Sequence, residues 1–166
     1  MSMQVMRFFW IGLALVTLSG CVSPFLKGSG TQITEIVVMK EKRRIYLMNK
    51  EQVLHSFDID LGFSPVGDKT VEGDGKTPEG SYVINRFNRN SQFHRSLGIS
   101  YPDRSDKAQA KRLGKSPGGE IFIHGQPNSR RPKGDDWTAG CIAVSNPQIE
   151  YMFTHVKLGT PVTIYP

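Results

Sequence analysis

The rhythm of apolar residues changes several times along the chain, and each change marks an element. Ile33–Met39 and Arg44–Met48 are β-rich runs separated by the charged Lys40-Glu41-Lys42-Arg43, which predicts a hairpin. Val53–Leu61 alternates, with Val53, Phe57, Ile59 and Leu61 spaced by polar residues, so a strand with one buried face is expected. His55 falls within that strand and reads as partly exposed scaffold, not as a ligand. Gly62–Gly80 is a long turn-rich loop. It lacks the Gly-Lys-Ser/Thr ending of a phosphate-cradling loop. Ser81–Phe87 predicts a further strand. Asn88–Gly118 is polar, with Phe93, Leu97, Ile99 and Tyr101 as its few anchors, and its lack of a clear period predicts a functional lid or binding loop. Ile121-Phe122-Ile123 is a short buried strand, Gln126–Asp136 a hydrophilic loop and Cys141–Val144 a second short strand. Asn146 then reads as a helix cap with Pro147 at the first helical position. Ile149, Met152, Phe153 and Val156 follow at helical spacing, and Gly159 and Pro161 end the helix. Pro161–Tyr165 closes the domain as a final strand. The expected fold is mainly β, with one convincing helix.

The apolar run Phe8–Leu18 has a different meaning. Arg7 precedes it, and Leu18-Ser19-Gly20-Cys21 follows it. A basic start, a short apolar core and small residues before a cut site describe a secretory signal. The run is short for a permanent bilayer span, which weighs against a signal anchor. The ending resembles a lipoprotein signal, which implies acylation of Cys21. Residues 1–20 are therefore expected to be the signal, 21–32 the lipidated cysteine and a tether, and 33–166 the folded domain. Ser, Pro, Gly and Lys in Val22–Thr31 suit a tether. The expected location is the periplasmic face of the envelope, held to the membrane by lipid on Cys21. Val22 is not the aspartate associated with inner-membrane retention, so the outer membrane is the favoured site.

The net charge of +6 suits an anionic wall polymer or membrane surface. There is no zinc-finger spacing, RNA-binding motif or dense basic stripe, so nucleic acid is not an expected partner. His55, His94, His124 and His155 lack the close ligand pairs of a zinc site, and no metal or organic cofactor is expected. The chain has two cysteines. With Cys21 used for lipid, Cys141 remains as a single thiol in an exported protein, either buried and inert or kept for chemistry.

Candidate chemistry concentrates in Ile121–Asn146. His124 ends a strand in Ile123-His124-Gly125, and Cys141 follows a small-residue turn, Thr138-Ala139-Gly140. Neighbouring strands joined by the intervening loop would bring the imidazole within hydrogen-bond reach of the thiol. A free cysteine has a pKa of about 8.5, so an imidazole that takes its proton makes it a nucleophile at neutral pH. The amides of Gly140 and Cys141 are the expected oxyanion donors. Spacing alone leaves catalysis and a packed core cysteine as even alternatives.

The stretch His124-Gly125, a loop, then Thr138-Ala139-Gly140-Cys141-Ile142 resembles the active-site motif of the L,D-transpeptidase catalytic domain (YkuD) family. Gly73-Asp74-Gly75-Lys76-Thr77-Pro78-Glu79-Gly80 is similar to that family's Thr-Pro-x-Gly turn before a strand. The resemblance runs from about Ile33 to Tyr165. It implies a β-sandwich or barrel of mixed strands with one short helix after the cysteine. Cys141 would be the nucleophile, His124 the base, and the Gly125 carbonyl would orient the ring. Tyr101, Trp137, Thr138 and Ala139 are expected to contact substrate. The implied substrates are peptidoglycan stem peptides, taken through a thioester by a monomer and passed to an amine or to water. A non-catalytic wall-binding lipoprotein is the rival from another class. Two positions depart from the family pattern: Ala139 stands where many members carry His, and Ala143 where many carry Arg. The Trp137-Thr138-Ala139-Gly140-Cys141-Ile142-Ala143-Val144 form resembles a sub-branch in which some members hydrolyse envelope amide bonds.

Overall fold

The charged Lys40–Arg43 turn does join two antiparallel strands, β1 (Glu35–Met39) and β2 (Arg44–Asn49). The structure is a computed structural model and describes residues 32–129 and 134–166. The expected signal, Cys21 and most of the expected tether lie outside the described residues. Beyond β2 come β3 (Gln52–Asp58), β4 (Gly80–Ser91), β5 (His94–Ile99), α1 (Arg104–Arg112), β6 (Phe122–His124), β7 (Ile142–Ala143), α2 (Asn146–His155) and β8 (Pro161–Tyr165).

The strands form one mixed eight-stranded sheet in the order β3-β2-β1-β8-β4-β5-β6-β7. The β1–β8 and β6–β7 pairs are parallel and the others antiparallel. β4 joins the two halves: Gly80–Val83 pairs with β8, and Ile84 onward pairs with β5. Past β3, Asp60 exchanges both backbone hydrogen bonds with Ala143, at 3.0 and 2.8 Å. The chain leaving one edge strand thus closes against the other.

Alternation decides which side chains meet inside. Ile36 and Val38 of β1, Ile45 and Leu47 of β2, and Val162 and Ile164 of β8 form one continuous core with Leu97, Ile123 and Ile142. Burying each aliphatic side chain is worth about 1.5–3 kcal/mol. Helix α2 adds Ile149, Met152 and Phe153 to that core, as their spacing predicts, and packs on β5 and β6.

Four expectations change. β3 ends at Asp58, and Val53 is exposed, because among the described residues β3 is an edge strand paired only with β2. The cap of α2 is Ser145, whose N–H donates to Gln148 Oε1 at 2.8 Å, while Asn146 turns its Oδ1 to the Gln126 N–H at 2.8 Å. Asn88–Gly118 is not a single lid or binding loop: it holds the end of β4, all of β5 and a second helix, and its first part lines a groove described below. That helix, α1, starts at a capping box in which the Asp103 and Asp106 carboxylates each accept from the other's backbone N–H. It buries only Asp106 and Ala110, so it has no apolar stripe to reveal it.

Candidate active site

Register brings the two candidate residues to one face. Ile123 pairs with Ile142, and His124 with Ala143. The two isoleucines point into the core. Side chains alternate along a strand, so Phe122 and His124, together with Cys141 and Ala143, belong to the opposite face. A groove of about 620 Å³ opens there, lined among others by Arg86, Phe93, Glu120, Phe122, His124 and Cys141.

His124 is buried, and its Nδ1 lies 2.7 Å from the Gly125 carbonyl oxygen. A carbonyl only accepts, so Nδ1 carries the proton and Nε2 is the basic nitrogen of the neutral ring. Burial pushes the imidazole pKa below its ordinary value, against the opposing pull of the Gly125 bond. The ring is held between aromatics: Phe93 at 4.5 Å and Trp137 at 5.6 Å between centroids. Trp137 is itself fixed by Nε1–H donating to Asp60 Oδ2 at 2.9 Å. The loop after His124 is closed down tightly. A Cβ on Gly125 would stand 2.6 Å from Asn146 Oδ1 and 3.0 Å from both Ile149 and the Phe93 carbonyl.

Cys141 is half-buried and is the free cysteine of the described residues. Its sulfur accepts from the Phe122 N–H at 3.4 Å and donates to the Glu120 carbonyl at 3.5 Å. Burial pushes the thiol pKa up and Glu120 adds to that, while the Phe122 N–H and Lys69 oppose it. Both groups are therefore biased to their neutral forms. No hydrogen bond joins His124 to Cys141, contrary to the expectation from spacing. They share a groove, and the resting thiol proton is directed at Glu120.

The turn carrying Cys141 is built against the glycine-rich loop. Thr138 exchanges backbone bonds with the chain after β3: its N–H donates to Leu61 O at 3.0 Å and its carbonyl accepts from Phe63 N–H at 2.9 Å. Its Oγ1 donates to the Cys141 carbonyl at 2.8 Å and accepts from the Gly140 N–H at 3.1 Å. Gly140 has φ +130, and a Cβ there would stand 2.6 Å from the Lys76 carbonyl oxygen. Behind the turn, Lys69 is buried with Nζ on Asp74 Oδ1 at 2.9 Å. The other Asp74 oxygen accepts from the N–H groups of Thr70 and Val71. Burial pushes the Asp74 carboxyl up, but Lys69 and the backbone amides outweigh it and hold it down at about 2. On the other side, Asp136 takes the Arg43 guanidinium through both oxygens, at 2.7–3.0 Å, and the Leu61 N–H.

Several sequence expectations meet this geometry differently. The Gly140 amide is occupied by Thr138, which leaves Cys141 as the candidate oxyanion donor of the turn. Thr138 is buried and bonded within the turn. Tyr101 is buried too, with its hydroxyl donating to the Pro117 carbonyl at 2.8 Å, and it borders a smaller neighbouring cavity. Neither Thr138 nor Tyr101 lines the groove of Cys141. Ala139 is exposed on the turn. Trp137 packs on His124. Arg86, Glu120 and Asp60 escape sequence reasoning, and Phe93 reads there only as an anchor of the polar segment: Arg86, Phe93 and Asp60 are distant in sequence from both motifs, and Glu120, four residues before His124, reaches Cys141 only through the fold. Among the described residues no cluster of three or more His, Cys, Asp or Glu could hold a metal ion.

Comparison with known proteins agrees with this architecture. YafK of Escherichia coli K12, classed with the L,D-transpeptidases, is 30% identical, with 79% of this chain and 53% of YafK covered. A mutant form of the helical cell shape determining protein Pgp2 from Campylobacter jejuni superposes with TM-score 0.63 at 28% identity, covering 80% of this chain and 46% of Pgp2. Bd1075 of Bdellovibrio bacteriovorus superposes with TM-score 0.56 at 28% identity, covering 81% of this chain and 48% of Bd1075. The chain thus spans about half the length of each of these relatives. The family model of the L,D-transpeptidase catalytic domain matches residues 33–164, nearly the whole described chain. This chain belongs to the L,D-transpeptidase catalytic domain (YkuD) family.

Proposed function

We propose that the protein is a cysteine-dependent acyltransferase of the cell envelope that acts on peptidoglycan tetrapeptide stems as an L,D-transpeptidase. Cys141 Sγ attacks the carbonyl between the L-centre of diaminopimelate and a terminal D-alanine, and the thiol proton passes to His124 Nε2. The tetrahedral intermediate collapses with C–N cleavage, and His124 returns the proton to the departing D-alanine amine. An amine from a second stem, or water, then attacks the thioester. Its proton goes to His124, and the thiol is restored.

The observation that carries this reading is His124 itself: a neutral ring, Nδ1–H held by Gly125, in the same groove as the half-buried thiol. Neutral imidazole is the form a general base needs. At rest the thiol proton is held by Glu120, so substrate must redirect it toward His124. Labelling supplies the test. A carbapenem should acylate Cys141, seen as an intact-mass adduct that is absent in Cys141→Ala. A protein that carries no such adduct and turns over no stem peptide is instead a wall-binding lipoprotein on this fold.

Hydrolysis is the second reading, favoured by the likeness of Trp137–Val144 to a sub-branch in which some members hydrolyse envelope amide bonds. Muropeptide analysis separates the two: cross-linked dimers mark transpeptidation, and shortened stems mark an L,D-carboxypeptidase or amidase. The lipoprotein signal read at residues 1–20 supports export and anchoring through lipid on Cys21. The relative named for helical cell shape makes a role in shaping the wall the natural setting.

A further inference from the structure

Arg86, Gly98 and Phe122 stand abreast on three adjacent strands: Arg86 pairs with Gly98, and Gly98 with Phe122. The row ends at the nucleophile, because the Phe122 N–H donates to Cys141 Sγ at 3.4 Å. Gly98 contributes space. A Cβ there would stand 3.2 Å from the Phe122 ring and 3.3 Å from Arg86 Cβ. Without it, Arg86 lies across β5 with its guanidinium 4.7 Å from the centroid of Phe122. A cation over an aromatic face is held there by the ring's quadrupole. In that position Arg86 Nη2 meets Glu120 Oε2 at 2.6 Å. Arg86, Glu120, Phe122 and Cys141 all line the one groove.

The ion pair is easily exchanged. The Arg86 and Glu120 side chains are 51% and 76% exposed, and water and salt screen a pair that open so that it holds only weakly. A ligand carboxylate can take the place of Glu120 at small cost and can meet the guanidinium in two-pronged fashion. Glu120 is bound to the site in a second way. It is a non-glycine residue at φ 57, and that backbone conformation accompanies its carbonyl on the thiol.

We propose that Arg86 is the carboxylate-binding residue of the Cys141 groove: it releases Glu120 and takes the free terminal carboxylate of the peptide that acylates Cys141. The inference rests on the reading of Cys141 as the nucleophile toward wall peptides. It makes a free carboxylate beside the scissile bond a requirement, with Glu120 as the stand-in when the groove is empty.

Alkylation of Cys141 by iodoacetate and by iodoacetamide, in the full chain, tests Arg86 without calling on turnover. The two reagents share a leaving group and differ in charge, so their rate ratio reports the field at the thiol, and any general change in thiol reactivity cancels. Arg86→Gln should lower the iodoacetate-to-iodoacetamide ratio several-fold, and Glu120→Gln should raise it. A ratio unmoved by Arg86→Gln overturns the assignment. If Arg86→Gln does not fold, Glu120→Gln decides, with no rise in the ratio counting against Arg86. With stem tetrapeptides, the wild type should prefer the free acid over its C-terminal amide through KM, and Arg86→Gln should lose that preference. A wild type that is alkylated but turns over no stem peptide overturns the acyltransferase reading and leaves the ratio as the measure of Arg86.

Discussion

His124 and Cys141 are both held neutral by burial, and this has opposite consequences on the two sides of neutrality. The unfolded chain protonates its histidine near pH 6.5, whereas the folded imidazole resists until lower pH. As pH falls from that value toward the folded one, the unfolded state binds the extra proton and the fold loses stability. The urea midpoint of the wild type should therefore drop between pH 7.5 and 5 more than that of His124→Gln. Equal drops would mean that His124 is not the group responsible. For the thiol the sign reverses: stability present below about pH 8.5 is lost as pH rises, because the unfolded thiol ionises first. In turnover, His124→Ala should lose a factor of about 10² to 10⁴, the usual worth of a positioned base. Hydroxide should restore part of that rate at high pH. Identical pH profiles of Cys141 alkylation in the wild type and His124→Ala would remove the histidine from the mechanism.

The turn that carries Cys141 depends on the loop between β3 and β4 more than on its own strand. β7 has two residues, and its alignment is secured by Asp60 on one side and β6 on the other. The Thr138–Gly140 turn is seated on Leu61, Phe63 and Lys76, and the Lys69–Asp74 pair sets the shape of that loop. Asp74→Asn leaves the Lys69 ammonium, 3% exposed, without its counter-charge. Removing one partner of such a pair costs about 3–5 kcal/mol, and the loss should appear in denaturant unfolding. A cost under about 1 kcal/mol, the range of surface pairs, would show that the pair does not hold the loop. Because the Asp74 carboxyl is held down at about 2, its contribution is complete above the ordinary carboxylate value near 3.9 and fades as pH falls toward 2.

Across the whole molecule, β4 links the half-sheet built on β1, β2 and β8 to the half that carries the groove. Cys141 thus sits on the far edge from the hairpin, and the Asp60–Ala143 bridge returns the first half to it. The expected lipid anchor, Cys21, precedes Ile33 in sequence and lies outside the described residues. Cys21→Ala should move the protein from the membrane fraction to the soluble fraction while leaving carbapenem labelling of Cys141 unchanged. Retention in the membrane fraction would replace the lipoprotein reading with a signal anchor.

Local chemistry was enough for much of this protein. β-rich and apolar runs bounded by charged or turn residues located β1, β2, β6 and β8, alternation located β3, the 3.6-residue spacing located α2, and the His-Gly and Thr-x-Gly-Cys motifs pointed to His124 and Cys141 and to the family. These signals survive in sequence because each is carried by neighbours a few residues apart. Helix α1 escaped because a helix that buries one aspartate and one alanine has no periodic apolar face. Only the tertiary structure decided what surrounds the two motif residues. Long-range register places Glu120 and Phe122 on the thiol, and the approach of Phe93 and Trp137 encloses the imidazole. The vacancy at Gly98 brings Arg86 across a strand. No local pattern encodes those contacts, because each depends on strands meeting in a particular register after chain segments far apart in sequence have closed on one another.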